Sequence, residues 1–226
     1  MNIAIIAAAG AGSRIASDRP KQFLLLAGKP VIFHTLQVFE ECDSIEEVLV
    51  VLPAAESAGF VSLAAKYGLR KVSRVVPGGV TRADSVKRGL AAIRAATAEI
   101  VAVHDGVRPF VTTDEIDATV AAAQADGAAI LVAPVTDTIK QVSTGRVEMT
   151  LDRSRLRRAL TPQCFRYELL RDAYVNADVS DPLLTDESVL VEKLGHPISV
   201  IEGSAKNIKI TTTEDLAIAE AMLTAD

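Results

Sequence analysis

The sequence predicts an α/β fold in which a mainly parallel sheet is covered by helices on both faces. Short apolar runs at 2–9, 47–52, 100–104 and 128–133, with a short strand-like run at 71–76, alternate with stretches whose apolar residues recur at helical spacing, the pattern that builds strand–helix–strand units. The runs at 2–9, 47–52 and 128–133 are apolar nearly throughout rather than every second residue, as strands buried on both faces are. Three runs end in glycine-bearing loops: Gly10-Ala11-Gly12, Pro77-Gly78-Gly79 and His104-Asp105-Gly106. A parallel sheet collects its ligands at the carboxyl ends of its strands, so these loops are expected to meet.

Each element follows in order. Pro30 is placed to open a helix, its fixed φ suiting a first helical position, with Ile32, Leu36 and Phe39 inward before the strand Glu47 to Leu52. A helix over roughly 55–67 leads to a short strand at 71–76. Thr81 with Asp84 three residues on resembles a capping box, and Ala83, Val86, Leu90 and Ile93 share one face of the helix that follows. That helix N-terminus can face a ligand. Ile100 to His104 is the fourth strand, Thr113 opens a helix with Ile116, Val120 and Ala123 inward, and Ala128 to Ala133 is the fifth strand. From about 134 to 158 the alternation breaks. Thr138 to Ser143 and Arg146 to Leu151 read as a hairpin around Thr144-Gly145 that projects from the sheet. A two-stranded ribbon is marginal alone, so this arm is expected to pack on a second subunit. Helices at 166–176 and 185–194, strands at 198–201 and 207–210, and an amphipathic helix at 214–223 complete the chain.

Bulk properties set limits on function. With 226 residues, 49% hydrophobic and 23% charged, the chain is long enough for one substantial core, and one domain over 1–226 is expected. A formal net charge of -5 argues against a general nucleic-acid binder, so an anionic ligand has to be held by a local cluster. Cys42 and Cys164 lack metal-ligand spacing and, with three scattered histidines, suggest neither a zinc site nor a disulfide framework. A reduced, cytoplasmic setting fits. The first apolar run is too short for a membrane span and has no basic region before it, so it reads as a core strand.

The first loop has the chemistry of a phosphate site. Gly10 and Gly12 let the backbone turn tightly so that its N–H groups converge on phosphate oxygens, and Arg14 and Lys21 add the charge that peptide dipoles lack. A dinucleotide fingerprint fits Gly10 and Gly12, but its third glycine falls on Ile15 and the second strand ends in Val51-Leu52-Pro53 without an acidic ribose ligand. A P-loop is excluded because Gly28-Lys29 is followed by Pro30 and lacks the earlier glycine. Asp105, at a strand end, is either a turn or capping residue or a ligand for a metal or substrate hydroxyl. His104 precedes it on a buried strand and reads as structural.

Taken together, Ala8-Ala9-Gly10-x-Gly12-x-Arg14, Pro20-Lys21-Gln22-Phe23, Arg82-Ala83-Asp84-Ser85-Val86, His104-Asp105-Gly106-x-Arg108-Pro109, Ala133-Pro134-Val135-x-Asp137-Thr138, Leu160-Thr161-Pro162-Gln163, Thr185-Asp186-Glu187 and Asn207-Ile208-Lys209-Ile210-Thr211 resemble the 2-C-methyl-D-erythritol 4-phosphate cytidylyltransferase family over essentially the whole chain. The resemblance implies a Rossmann-like nucleotidyltransferase fold and a cytoplasmic homodimer joined through the arm. It also implies Mg2+-dependent transfer of CMP from CTP to methylerythritol phosphate in non-mevalonate isoprenoid synthesis. It puts Arg14 and Lys21 on the phosphates, Arg153 and Lys209 on the incoming sugar phosphate, and Ala8, Ala9, Gly79 and Ser85 near the cytidine. Asp105, Arg108, Thr138, Thr161 and Thr185 fall near the second substrate, with Thr138 and Arg153 placed to serve a partner's site. Asp105 is the candidate protein ligand for Mg2+, most of whose coordination is expected from CTP. Of the basic run Arg153, Arg155, Arg157 and Arg158, only Arg153 carries the resemblance. The competing readings are a ribitol 5-phosphate cytidylyltransferase, an NAD-dependent oxidoreductase and a non-catalytic nucleotide-binding module.

Overall fold

The computed structural model describes residues 1–10, 19–175 and 177–224. In chain order the strands are β1 (Asn2–Ala7), β2 (Leu25–Leu26), β3 (Lys29–Pro30), β4 (Glu47–Leu52), β5 (Val72–Pro77), β6 (Ile100–Asp105), β7 (Ala128–Pro134), β8 (Lys140–Ser143), β9 (Arg146–Thr150), β10 (Arg157–Arg166) and β11 (Ser199–Glu202). The helices are α1 (Val31–Glu41), α2 (Ala54–Ser57), α3 (Phe60–Lys66), α4 (Arg82–Ala91), α5 (Thr113–Asp126), α6 (Tyr167–Val175), α7 (Ser188–Lys193) and α8 (Thr213–Thr224). Seven strands form one sheet in the order β11-β7-β10-β6-β1-β4-β5, parallel throughout except for β10, which runs antiparallel to both neighbours.

The sheet is buried on both faces, and β1 shows how. Ala4 and Ile6 pack with Ile32, Leu36 and Phe39 of α1 and Ile116 and Val120 of α5 on one side. Ile3 and Ile5 point the other way, onto Val86 and Leu90 of α4 and a cluster that includes Leu170 of α6 and Val191 of α7. Period-two alternation thus divides one apolar run between two cores, which is why the run carries no polar side.

Several boundaries differ from expectation, each for a local reason. Pro30 is the N-cap of α1 rather than its first residue and closes the short β2–β3 pair. The single helix expected over 55–67 is two, interrupted at Gly59, whose φ of 75° is left-handed. Thr81 caps α4 by accepting the Asp84 amide, but the Asp84 carboxylate reaches back to the Val80 amide and so closes only half of a capping box. The full box is at α5, where Thr112 and Glu115 satisfy each other's amides. Residues 207–210 join no ladder; Ile210 instead donates its amide to the Val107 carbonyl. The unexpected element is β10, which fills the position between β6 and β7 with a register shift between Ala159 and Gln163. The arm forms where expected, as the β8–β9 pair, with both strands exposed along their length.

Candidate active site

The ladder continues past the strand ends and ties the three glycine-bearing loops together. The Ala8 amide donates to the Val51 carbonyl at 2.9 Å, Gly78 to Leu52 at 2.7 Å and Gly106 to Ala7 at 2.9 Å. These contacts frame a cleft of about 330 Å3 at the carboxyl ends of β1, β5 and β6. Ala7 to Gly10 form one wall, Gly79 to Arg82 and Ser85 the facing wall, and Lys21, Asp105, Val107 and Lys209 the remainder.

The facing wall is close because its residues are small. A side chain at Gly78 would put its Cβ 2.1 Å from the Ala9 Cβ, so only glycine lets the β5 loop lie against the β1 loop. Ser85, on the first turn of α4, accepts the Gly79 amide at 3.0 Å and donates to the Thr81 carbonyl at 2.9 Å, fixing the loop over the helix N-terminus. Beneath the β1 loop, buried Gln22 donates to the Ala8 carbonyl at 2.6 Å. Lys21 is thereby carried to the cleft on a short turn anchored to the opposite wall.

Asp105 is the electrostatic centre. Its Oδ1 accepts Arg82 Nε at 3.0 Å, and its Oδ2 accepts Lys209 Nζ at 2.9 Å and Arg108 Nε at 3.4 Å. Burial alone would raise its pKa, but the charges of Arg82, Lys209 and Arg108 override it and hold the carboxyl well below the usual carboxylate range. Arg82 in turn donates through Nη1 to both oxygens of Glu187, at 2.8 and 2.9 Å. Burial opposes its charge, yet Glu187 and Asp105 raise its pKa and keep it cationic. Three cations and two carboxylates leave this group of described residues one positive charge in excess.

A second layer supports that centre from behind. Thr161 Oγ1 accepts the Asp105 amide at 3.2 Å and lies 3.0 Å from His104 Nδ1, while His104 Nε2 lies 3.1 Å from the Arg108 carbonyl. Because a carbonyl only accepts, the proton sits on Nε2, and the threonine hydroxyl donates to Nδ1. Burial lowers the His104 pKa to about 4, so the ring is neutral near pH 7 and serves as a strut. The Asn207 side-chain amide donates to the Thr161 carbonyl at 3.0 Å, and the main-chain carbonyl of Asn207 accepts Arg108 Nη1 at 2.8 Å. The antiparallel strand β10 is thus what delivers Thr161 to the site.

Of the sequence-nominated residues, the structure brings Ala8, Ala9, Gly10, Lys21, Gly79, Ser85, Asp105 and Lys209 into one cleft. Arg108 and Thr161 stand directly behind Asp105. Gly12 and Arg14 lie outside the described residues. Thr138 and Arg153 sit at the exposed base of the arm, where Arg153 donates to the Thr136 carbonyl, and exposed Thr185 precedes the buried Glu187. Sequence reasoning missed Arg82 and Glu187 as site residues. The only local signal was that Arg82 opens a helix directed at the loop cluster, and nothing near Glu187 indicates burial.

Comparison with known proteins is consistent along the whole chain. The family model described as "IspD: 2-C-methyl-D-erythritol 4-phosphate cytidylyltransferase" matches residues 2–225. Proteins of that name from Syntrophus aciditrophicus and Pelotomaculum thermopropionicum are 44% and 45% identical over 224 residues, covering 98% of this chain and 95% and 94% of theirs. A solved 4-diphosphocytidyl-2C-methyl-D-erythritol synthase from Anaerococcus prevotii superposes with a TM-score of 0.86 at 31% identity, over 99% of this chain and 98% of that one. The Thermus thermophilus 2-C-methyl-D-erythritol 4-phosphate cytidylyltransferase superposes with a TM-score of 0.79 at 33% identity, over 98% of each chain.

Proposed function

The chain belongs to the 2-C-methyl-D-erythritol 4-phosphate cytidylyltransferase family, and from that premise we propose a division of labour among the residues of its cleft. The enzyme transfers CMP from CTP to 2-C-methyl-D-erythritol 4-phosphate, releasing pyrophosphate, in non-mevalonate isoprenoid synthesis. The observation that carries the assignment of roles is the convergence of Lys21, Arg82 and Lys209 on one cleft walled by glycine and alanine.

The nucleophile is a phosphate oxygen of the acceptor. With a second pKa of about 6 for a phosphate monoester, it is ionised at neutral pH and needs no protein base, which accords with a neutral, buried His104. This oxygen attacks the α-phosphorus of CTP, the bond to the β-phosphate oxygen breaks, and the electron pair leaves on pyrophosphate. What the protein has to supply is alignment of two mutually repelling polyanions and stabilisation of charge at the α-phosphate. Lys21 and Arg14 take the phosphates; Ala8, Ala9, Gly79 and Ser85 hold the cytidine between closely spaced backbones. Lys209, Asp105, Arg108, Thr161 and Thr185 form the acceptor side.

Bound with the triphosphate of CTP, Mg2+ would supply neutralisation of phosphate charge. Asp105 is the only carboxylate among the described residues lining the cleft, and both of its oxygens are engaged by cations, so the described residues offer no ready donor set for a resident ion. The arm joins two copies of the chain into a homodimer. Val142 and Val147, paired across the hairpin, are 64% and 61% exposed, with Met149 51% exposed nearby. Exposed apolar surface on a two-stranded ribbon calls for a covering partner. In that dimer Thr138 and Arg153 serve the partner's cleft. The described residues contain no helix long and apolar enough to cross a membrane, and a cytoplasmic enzyme is the reading that fits the buried free thiols Cys42 and Cys164.

The decisive experiment is pyrophosphate release by the purified protein with CTP and Mg2+, offering methylerythritol 4-phosphate and ribitol 5-phosphate in parallel. Strong preference for methylerythritol phosphate is expected. Preference for ribitol phosphate, or CTP binding without release from either acceptor, would overturn the reading.

A further inference from the structure

The guanidinium of Arg82 is divided between two jobs. It enters the cleft from the first turn of α4, with its side chain 26% exposed. Nε is committed to Asp105 and Nη1 to Glu187. Among the described residues Nη2 makes no hydrogen bond, and the Arg82 side chain lines the cleft. Glu187, by contrast, does not line the cleft. It is 1% exposed at the start of α7, and its Oε1 accepts both Arg82 and the hydroxyl of Tyr174, the latter at 3.1 Å.

We infer that Glu187, backed by Tyr174, is a positioning residue for the transfer: it fixes Arg82 in the cleft wall with one edge on Asp105 and Nη2 presented to the anionic substrates. The inference rests on the transferase reading of the cleft. The physical argument is one of charge balance. Arg82 stands among Arg108, Lys209 and the positive end of α4, and Asp105 is shared by all three of these cationic side chains. Without a second carboxylate, repulsion would favour rotamers that swing Arg82 out of the wall, and a long arginine has many. Glu187 removes that freedom, since its two oxygens grip a single nitrogen. Tyr174 fixes the carboxylate in turn, and is itself held in an apolar cluster that includes Leu170, Leu190 and Val191.

A merely structural pair would hold α7 against α4 and have no further consequence. The two roles separate by comparing an isosteric neutral substitution with a shorter charged one. Glu187→Gln preserves shape and removes charge; Glu187→Asp preserves charge and leaves a gap. A packing role makes Glu187→Gln the milder change. Positioning by charge makes Glu187→Asp the milder one.

The test is steady-state pyrophosphate release with CTP, Mg2+ and methylerythritol phosphate, on variants whose cooperative thermal unfolding shows them folded. Glu187→Gln should lower kcat/KM by about 10- to 100-fold, the loss typical of a displaced catalytic group, and Glu187→Asp should recover part of it. In an Arg82→Gln background, Glu187→Gln should add little, because its effect passes through Arg82. Tyr174→Phe should give a smaller loss in the same direction, and it decides the matter if Glu187→Gln does not fold. Unchanged kcat/KM in folded Glu187→Gln, Glu187→Asp worse than Glu187→Gln, or full additivity with Arg82→Gln would overturn the inference. An inactive wild-type protein would instead refute the transferase reading beneath it.

Discussion

Replacing Asp105 by asparagine tests the electrostatic centre directly. The carboxylate is 7% exposed and faces Arg82, Arg108 and Lys209, which are 26%, 11% and 35% exposed. Removing one member of a buried ion pair typically costs about 3–5 kcal/mol, most of it from the charge left unpaired. Here the lower end applies: Arg82 keeps Glu187, and Lys209 is solvated enough that its share is largely screened. A loss of about 3 kcal/mol lowers the thermal midpoint of a chain this size by roughly 6–12 °C, at about 2–4 °C per kcal/mol. Thermal unfolding followed by circular dichroism reads this. The same logic gives a second signature, because an anion in the cleft takes over part of the lost neutralisation. Pyrophosphate should therefore raise the midpoint of Asp105→Asn by more than it raises that of the wild type. A variant that melts with the wild type, and responds to pyrophosphate no more strongly, would show that the three cations are not organised on Asp105.

Further outcomes are expected from the same geometry. Lys21→Ala should stay folded but lose about 10²- to 10³-fold in turnover, as when one transition-state donor is removed; near-normal pyrophosphate release would remove Lys21 from the site. Gly78→Ala should push the β5 loop off Ala9, since its Cβ would lie 2.1 Å from the Ala9 Cβ. Overpacking costs about 1–3 kcal/mol, so titration calorimetry should show CTP binding weakened roughly tenfold, and unaltered CTP binding would count against a cytidine pocket there. His104 is neutral in the fold, with a pKa near 4 because it is buried, whereas an unfolded histidine titrates near pH 6.5. Between those values the unfolded chain binds the proton that the fold refuses, so stability should fall as pH drops from about 6.5 to 4. Urea midpoints against pH would show it, and His104→Gln should flatten that segment. Val142→Asp with Val147→Asp should convert a dimer to monomer in sedimentation analysis, and a persisting dimer would place the interface elsewhere.

The parts of the fold that were legible are those where one residue pattern serves one purpose. β1 and β4 are apolar because both faces are buried, and the runs of Ile, Val, Leu and Ala report nothing else. β10 was not legible because its residues answer to two demands. It lies in the interior of the sheet, where a nearly continuous apolar run would be the usual pattern, yet it carries Thr161, Pro162 and Gln163. Proline withholds a ladder donor and argues against a central strand. Here it falls within the register shift between Ala159 and Gln163, where the ladder is already broken. Thr161 is polar because the site needs its hydroxyl between His104 and the Asp105 amide, and Gln163 because its oxygen accepts the Ser188 amide at 3.2 Å. A strand whose polar residues are spent on hydrogen bonds inside the protein looks, from sequence, like a loop.

The same distinction separates the legible half of the site from the rest. Gly10, Gly79 and Lys21 could be read because loop chemistry is local: glycine at a strand end and a cation a few residues on have a meaning that does not depend on what folds against them. The pairing of Arg82 with Glu187 spans 105 residues and exists only once α7 is laid beside α4 over the sheet. Neither residue is unusual in its own stretch, and a glutamate near a short helix is ordinarily solvated. Burial turns that ordinary glutamate into a commitment, since a carboxylate 1% exposed is tolerable only with a cation and a hydroxyl on it. That cation lines the cleft, so the least legible residue of the site is the one on which the inferred link from α6 and α7 to the chemistry depends.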